Sequence, residues 1–449
     1  MSVKVTVIMP SLNVSKYIRI CMESVLAQTL QDMEILAIDA GSTDGTFEIL
    51  EEFAQKDSRV KVIHSDRKSY GYQMNLGISM ATGDYVGVVE TDDLIEPDMF
   101  ETLYALAVSS QADYVKGMGE SFLLIAPEVE VRQPITVFAE TEFGPDGKIE
   151  IIPKEMPEMV SRDYFLWTGL YKRNFLEGIR FNETPGAAYQ DIGFLLQTYG
   201  KAEKAVYIDK MVYHYRKDNL NASGYNHRMF HYLVEEYQYV DGLLEGMGRE
   251  WYCVCFRKLF GQTNHRFWTM AAMGIFWEDA VQDIQHIATR LGEAVKSGFI
   301  VEEDLSANVW NNLKNMTEDP IALYQEYAER FDPKRKNIMY LRDNLQKGQT
   351  VLFGSGKWGK FAHALLVHYG VDTIKAYCDN GTECQGKILQ GLPIMSPAEA
   401  LNQYPDARFV ITSKKNAQEM EEQLLALGVE KDKIFKYTAG VDMLLFAGK

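Results

Sequence analysis

Gly83-Asp84-Tyr85-Val86-Gly87-Val88-Val89-Glu90-Thr91-Asp92-Asp93 decides how the first half of this chain is read. Tyr85 to Val89 is a short apolar run, the pattern of a buried strand. Three of the next four residues are carboxylates. Carboxylates two residues apart, just past a strand, can point to one side and share a divalent cation. An isolated acidic turn more often only opens the next helix. The surroundings of this one argue for more.

Val3 to Met9 reads as a buried strand ending at Pro10. Ser15 can cap a following helix, in which Ile18, Cys21, Met22 and Val25 recur at helical spacing. Glu34 to Ile38 reads as a second strand, ending at Asp39. Ala40 to Thr46 is a turn whose Ser42 or Thr43 can cap the next helix. Val60 to His64 is a third strand, and a helix runs through Met74 to Met80. Strands alternating with helices give an α/β class with a mostly parallel sheet, covered on both faces. Ligands of such sheets bind at the carboxyl ends of the strands. Asp39 and the acidic cluster both lie at such ends, which argues for a site on pattern alone.

At 449 residues the chain should hold two or three domains. Its formal charge of −17 argues against nucleic acid as a partner. No apolar run reaches membrane-spanning length, and the N-terminus reads as a strand, not a signal peptide. Five scattered cysteines read as reduced thiols. A cytoplasmic location follows as the expectation, with contact at the inner face of a membrane left open. Residues 126–159, with five prolines, read as an insertion or flap. Residues from about 226 to 340 have helical periodicity and many aromatics, a helical core. Pro333-Lys334-Arg335-Lys336 reads as a linker. The expected domains are 1–225, a helical region with linker over 226–340, and a second βα domain over 341–449.

Six segments resemble, in order, the family-2 glycosyltransferases of GT-A fold. Val7-Ile8-Met9-Pro10-Ser11-Leu12-Asn13 is similar to the opening strand and nucleotide-contacting loop. Ile38-Asp39-Ala40-Gly41-Ser42-Thr43-Asp44-Gly45-Thr46 resembles D-D-G-S-T-D-G-T. Ala81-Thr82-Gly83-Asp84-Tyr85 leads into the acidic motif. Trp167 to Arg173 resembles the acceptor-side W-x-x-L-Y-K-R segment. Tyr189-Gln190-Asp191-Ile192-Gly193-Phe194 resembles E-D-x-x-F, and Tyr213-His214-Tyr215-Arg216 the closing Y-x-Y-R. The resemblance spans roughly residues 3 to 224. It implies a Rossmann-like GT-A domain that moves a sugar from a nucleotide sugar to a hydroxyl acceptor.

Such a transfer expels a diphosphate, and the developing charge needs a cation. Mn²⁺ or Mg²⁺ is therefore the expected cofactor. Asp92 is the first ligand, Glu90 and Asp93 support it, and His214 suits Mn²⁺ as a further one. Arg216 matches diphosphate geometry. The resemblance implies that Pro10 and Asn13 border the donor and that Asp39 accepts from the base, uracil. It implies that Glu90 reaches the ribose and that Asp191 is the general base of an inverting displacement. The acceptor it implies is a glycan, a lipid-linked molecule or a protein, in surface polysaccharide or other glycan synthesis. Three departures stand out. Glu90 replaces the usual Asp, Met74 an expected arginine, and Gln190 the usual Glu. No Q-x-x-R-W segment occurs, so a polymer-extruding synthase is not expected.

Beyond the linker, Gly354-Ser355-Gly356-Lys357-Trp358-Gly359 places G-x-G-x-x-G between an expected strand and helix. Asp379 closes the next strand at about the ~20-residue spacing of a dinucleotide fingerprint. Tyr377-Cys378-Asp379-Asn380 through Gly391-Leu392-Pro393-Ile394-Met395-Ser396-Pro397 resembles the small Rossmann-like domains of sugar acyltransferases and other polysaccharide enzymes. A nucleotide ligand and a structural or homo-oligomerising role are both open readings of it. Two rival readings cover the whole chain: an inactive sugar-nucleotide-binding scaffold, and an NAD(P)-linked oxidoreductase driven by the second domain.

Overall fold

The computed structural model describes residues 3–126, 129–219 and 227–440. The chain divides into two compact units. One comprises Met1–Phe122, Gln133–Thr263 and Asp279–Glu318; the other comprises Leu123–Arg132, Asn264–Glu278 and Asp319–Lys449. The division expected at 225–226 lies outside the described residues.

The first unit opens as β1 (Val5–Ser11), α1 (Ile18–Leu26), β2 (Met33–Asp39), α2 (Thr46–Lys56), β3 (Val60–His64), α3 (Tyr70–Met80) and β4 (Tyr85–Val88). Every residue of β1, β2 and β4 is buried. Such continuous apolar burial is what helices on both faces of a parallel sheet produce. The short β5 (Leu94–Ile95) and α4 (Met99–Ser110) follow, then β6 (Tyr114–Ala126), β7 (Val129–Ile135) and β8 (Lys148–Ile151). Next come α5 (Met159–Arg162), β9 (Gly169–Lys172), α6 (Asp191–Lys201) and β10 (Ala205–Arg216).

The strands order β3-β2-β1-β4-β9-β6-β10-β5, with β7 on β6 and β8 on β10. From β3 to β4 the sheet is parallel. β9 runs antiparallel to β4 and β6, whereas β10 is parallel to β6. This is the α/β GT-A architecture with a mixed second half. Its register sets Ser11 opposite Asp39, so the carboxyl ends of β1 and β2 finish together.

Four helices continue the chain: α7 (Met229–Leu244), α8 (Arg249–Met273), α9 (Val281–Lys296) and α10 (Ala307–Glu318). The second sheet belongs to the second unit. It follows α11 (Pro320–Leu345) and is built from β11 (Thr350–Phe353), α12 (Lys357–His368), β12 (Ile374–Cys378), β13 (Ile388–Leu389) and β14 (Leu392–Met395). It is completed by α13 (Pro397–Gln403), β15 (Arg408–Ile411), α14 (Ala417–Ala426) and β16 (Ile434–Lys436). Its order is β13-β14-β12-β11-β15-β16, parallel except for the β13–β14 pair. Among the described residues no helix is long and apolar enough to cross a membrane.

Three local expectations fail. Residues 126–159 are not a detached flap: β8 pairs with the first half of β10, and β7 pairs with β6. Pro333 does not end a helix but lies inside α11. A proline there removes one backbone hydrogen bond and costs about 3 kcal/mol. Phe331 before it and Ile338 and Leu341 after it are buried and hold the two halves in one helix. Neither Ser15 nor Ser42 or Thr43 caps a helix. α1 starts after Tyr17 without a side-chain cap, and α2 starts after Gly45. Gly45 holds the N-cap position of α2 without a side-chain cap, and Asp44 before it accepts from the Thr46 N–H through Oδ1 at 3.1 Å.

Candidate active site

The loops after β1 and β2 are stitched to each other. The Asn13 N–H donates to Ser42 Oγ (2.8 Å), and the Thr43 N–H donates back to Asn13 Oδ1 (2.8 Å). The Ser15 N–H reaches Asp44 Oδ2 (2.9 Å). Asn13 adopts φ 55°, a left-handed value that asparagine tolerates better than most residues. Pro10 lies inside β1, and its carbonyl accepts from Thr91 Oγ1 at 2.9 Å, tying β1 to the acidic turn.

Asp39 is only 1% exposed. Its Oδ2 accepts from the Gly41 and Ser42 N–H groups, and its Oδ1 from the Ser42 and Ser11 hydroxyls. Four bonds fill about the whole acceptor capacity of a carboxylate. In this arrangement Asp39 shapes the loop, and its carboxylate is not presented to a base.

The acidic turn is anchored by β10. The Tyr213 hydroxyl donates to Asp93 Oδ2 (2.8 Å) and accepts from the Glu90 N–H (3.0 Å). The Arg216 N–H donates to Asp93 Oδ1 (2.6 Å), and Arg216 Nε to the Asp92 carbonyl (2.7 Å). Trp167 stacks on Tyr213 with centroids 4.1 Å apart, backing this arrangement. Asp93 is therefore fully buried with both oxygens engaged. Glu90 and Asp92 keep more freedom: Tyr70 donates to Glu90 Oε1 and Asn219 to Asp92 Oδ2, both at 2.7 Å.

Burial pushes the Glu90 carboxyl up to about 8 against the Tyr70 hydrogen bond, with the negative charges of Asp92 and Asp191 adding to the rise. Burial likewise raises Asp92, and it raises Asp93 well above the usual carboxylate range. Burial and mutual repulsion hold these groups toward their neutral forms, and a cation beside them would favour their ionisation.

His214 does not join them. Successive strand residues point to opposite faces, and Tyr213 faces the acidic turn. The His214 ring lies between Glu96 (2.7 Å) and Glu120 (2.8 Å) instead. Among the described residues no group of three His, Cys, Asp or Glu side chains is arranged to hold a metal. The set Asp92, Asp93 and His214 is thus not assembled. Arg216 packs on Tyr17 and Phe122 and pairs with Asp218 (3.2 Å), turned partly away from the carboxylates it neighbours.

Asp191 is the first residue of α6. Burial raises its carboxyl, and the Lys258 charge opposes the rise. Two features fix the segment before it. Tyr189 is held at φ 68°. The Gln190 amide accepts from the Ala188 N–H (2.8 Å) and donates back to the 184–186 loop. Met74, at the expected arginine position, is a buried core residue. Two alternatives to Asp191 fall away as bases. Asp163 is buried in a pair with Lys116 (2.7 Å), and Glu183 pairs with Arg67 (3.1 Å).

Sequence reasoning missed Glu236 and Lys258, which come from α7 and α8. Glu236 Oε1 accepts from the Gly193 N–H at 2.8 Å and Oε2 from Asn182 at 3.1 Å. Gly193 lies in the first turn of α6, so this buried carboxylate caps the helix that carries Asp191. One signal was present. Glu236 interrupts an apolar helical stripe of Tyr232, Leu233, Tyr237 and Val240, and a charge on a buried face needs a partner.

In the second unit, Gly354 and Gly356 lie between β11 and α12, Gly359 lies in the first turn of α12, and Asp379 follows β12. Asp379 is occupied by the loop itself, accepting from Ser355 N–H and Oγ (both 2.7 Å) and from the Gly381 N–H (2.9 Å).

Comparison with known proteins agrees with this architecture. Residues 6–122 match the model of Glycosyl transferase family 2. Glycosyltransferase GlyA of Streptococcus pneumoniae is 32% identical over 252 residues, which cover 55% of this chain and 35% of that protein. The uncharacterized glycosyltransferase EpsJ of Bacillus subtilis is 29% identical over 249 residues, 52% of this chain and 67% of that one. The chain therefore spans about a third of one relative and two thirds of the other. The crystal structure of S. aureus TarS 1–349 in complex with UDP-GlcNAc superposes with a TM-score of 0.53 at 18% identity, covering 74% of this chain and 92% of that one. The six ordered motifs, the parallel β3-β2-β1-β4 sheet and these matches agree: residues 6–122 carry a glycosyl transferase family 2 domain, and the fold is GT-A.

Proposed function

We propose that the chain transfers a sugar from a nucleotide sugar, UDP-linked, to a hydroxyl acceptor on a glycan, with inversion at the anomeric carbon. One observation carries the reading. Glu90 and Asp92, at the carboxyl edge of a parallel sheet, are electrostatically coupled to each other, and Glu90 to Asp191, with carboxyls raised by burial. A general base works best when its pKa approaches the operating pH, and a raised Asp191 suits the removal of an acceptor proton. Inversion follows if that base and the departing diphosphate act on opposite faces of the sugar.

The donor set fits a divalent cation. Glu90 and Asp92 supply hard oxygens, each with one oxygen held in place, and a cation bound between them would favour their ionised forms. Mn²⁺ or Mg²⁺ bound there would neutralise charge on the leaving diphosphate. Asp93 and Tyr213 hold the turn from behind, and His214 has no part in it. Loop 11–15, braced by Asp39 and Ser42, forms the floor for the nucleoside. The acceptor class in this reading is a glycan, in surface polysaccharide or other glycan synthesis. That chemistry places the enzyme where nucleotide sugars are made, in the cytoplasm.

A panel of nucleotide sugars tests the proposal by nucleotide release and by melting temperature, with Mn²⁺, Mg²⁺ or EDTA. A UDP-sugar should raise the melting temperature through linkage, more with metal than without. Asp92→Ala should remove most of the metal-dependent part. Equal UDP affinity with EDTA and with Mn²⁺ would discard the metal, and no response to any nucleotide sugar would discard the activity.

A further inference from the structure

The second sheet has its own ligand crevice. β11 leads through α12 to β12 on one side, whereas β15 lies on the other side of β11 and leads through α14 to β16. The strand order thus reverses between β11 and β15, and the loops leaving their carboxyl ends part from each other. Open parallel sheets bind ligands at this switch point. A cavity of about 570 Å³ opens there, between the loop after β11 and the loop after β15. That volume is within the usual range for small-molecule sites, roughly 300–1,000 Å³.

The three glycines of the first loop and the α12 turn that follows it differ in why they are glycines. Gly354 has φ 112°, where a side chain is strained. A Cβ on Gly359 would stand 1.9 Å from the Gly354 carbonyl oxygen. Gly356 has neither reason: its φ is −75°, and a Cβ there meets nothing within 4 Å. The space it leaves open belongs to the cavity wall at the start of α12.

The charge of the wall also runs against the chain. In a protein of net charge −17, Lys357, Lys414 and Lys415 line this cavity without an ion-pair partner among the described residues. α12 and α14 both begin at it with no side-chain cap, so their first N–H groups are left for a ligand. Of the two carboxylates in the lining, Glu419 and Asp379, the latter accepts three hydrogen bonds from Ser355 and Gly381 within its own loop. Asp379 is therefore a brace for the loop and not the ribose acceptor that its spacing suggests. Trp358 adds an aromatic face, and Met420 an apolar floor.

We propose that this crevice binds a diphosphate-bearing nucleotide, separately from the donor site. Its diphosphate lies between the start of α12 and the Lys414–Lys415 loop, passing over Gly356, and its base lies against Trp358. Calorimetry of the full chain with ADP, UDP and inorganic pyrophosphate tests this in an Asp92→Ala background, which weakens the donor site. At least one nucleotide should bind in that background, more tightly than pyrophosphate and more weakly as salt rises. Lys414→Ala with Lys415→Ala should weaken it roughly ten- to a hundredfold, the loss of charge-assisted hydrogen bonds. Gly356→Val should abolish binding while the ligand-free melting temperature stays near that of the parent. Should Gly356→Val fail to fold, the lysine pair, exposed and free of partners, keeps the test. Three results would overturn the proposal: no binding of either nucleotide at millimolar concentration, binding that survives the lysine and glycine changes, or pyrophosphate binding as tightly as both nucleotides.

Discussion

Glu236→Gln should change how the stability of the protein depends on pH. Glu236 is 1% exposed, and burial raises its carboxyl from the usual 4.5 to about 8, despite hydrogen bonds from Gly193 and Asn182. A carboxyl raised in the folded state binds its proton more tightly there than in the unfolded chain. Between pH 4.5 and 8 the folded state therefore holds more protons, and stability falls as pH rises. A shift of that size corresponds to as much as about 5 kcal/mol at pH 8 or above, and to none of it below 4.5. Glutamine cannot titrate, keeps an acceptor for the Gly193 N–H, and can pair with Asn182 if that amide turns over. The difference in melting temperature between Glu236→Gln and wild type should therefore grow in favour of the variant from pH 5 to pH 8.5. Subtracting one protein from the other at each pH removes the groups they share, Glu90 among them. Melting curves that stay parallel across that range would refute the buried, raised carboxyl.

Asp191→Asn should lower the turnover number by about 10²–10⁴ and leave UDP affinity near wild type, because the amide keeps its shape but cannot take the acceptor proton; turnover and calorimetry on one variant check both halves. Lys116→Met should destabilise the first unit by about 3–5 kcal/mol, since it strands the buried Asp163. Adding Asp163→Leu to it should recover part of the loss, measured by urea unfolding.

What the sequence made legible was whatever follows from local pattern. The strands β1, β2 and β3 and the placement of Asp39 and the acidic turn at strand ends come directly from apolar runs closed by polar residues. The glycine loop after β11 was equally plain. Side-chain direction was less accessible. Nothing in Tyr213-His214-Tyr215-Arg216 says which residue faces the acidic turn, because β10 changes register between Tyr207 and Tyr213. One residue of slip turns His214 from ligand to bystander. Capping failed for a similar reason. Ser15 and Ser42 are competent caps by local propensity, but the contact between the two loops engages the Ser15 N–H and the Ser42 hydroxyl instead, and neither caps a helix.

Glu236 and Lys258 show why the site could not be closed at residue 225. Each is one charge on a long helix, with no motif around it, and its meaning depends on which helix its own packs against. α6 carries Asp191 but supplies no side-chain cap of its own. The hydrogen-bonding need of its first turn is met by Glu236 from α7, while Lys258 of α8 moderates the Asp191 carboxyl and donates to the Val160 carbonyl at 2.8 Å. The helices after the motif-bearing region therefore do more than cover the sheet. They hold the start of the helix and add a charge beside the residue proposed to take the acceptor proton, so changes there should reach turnover before they reach donor affinity.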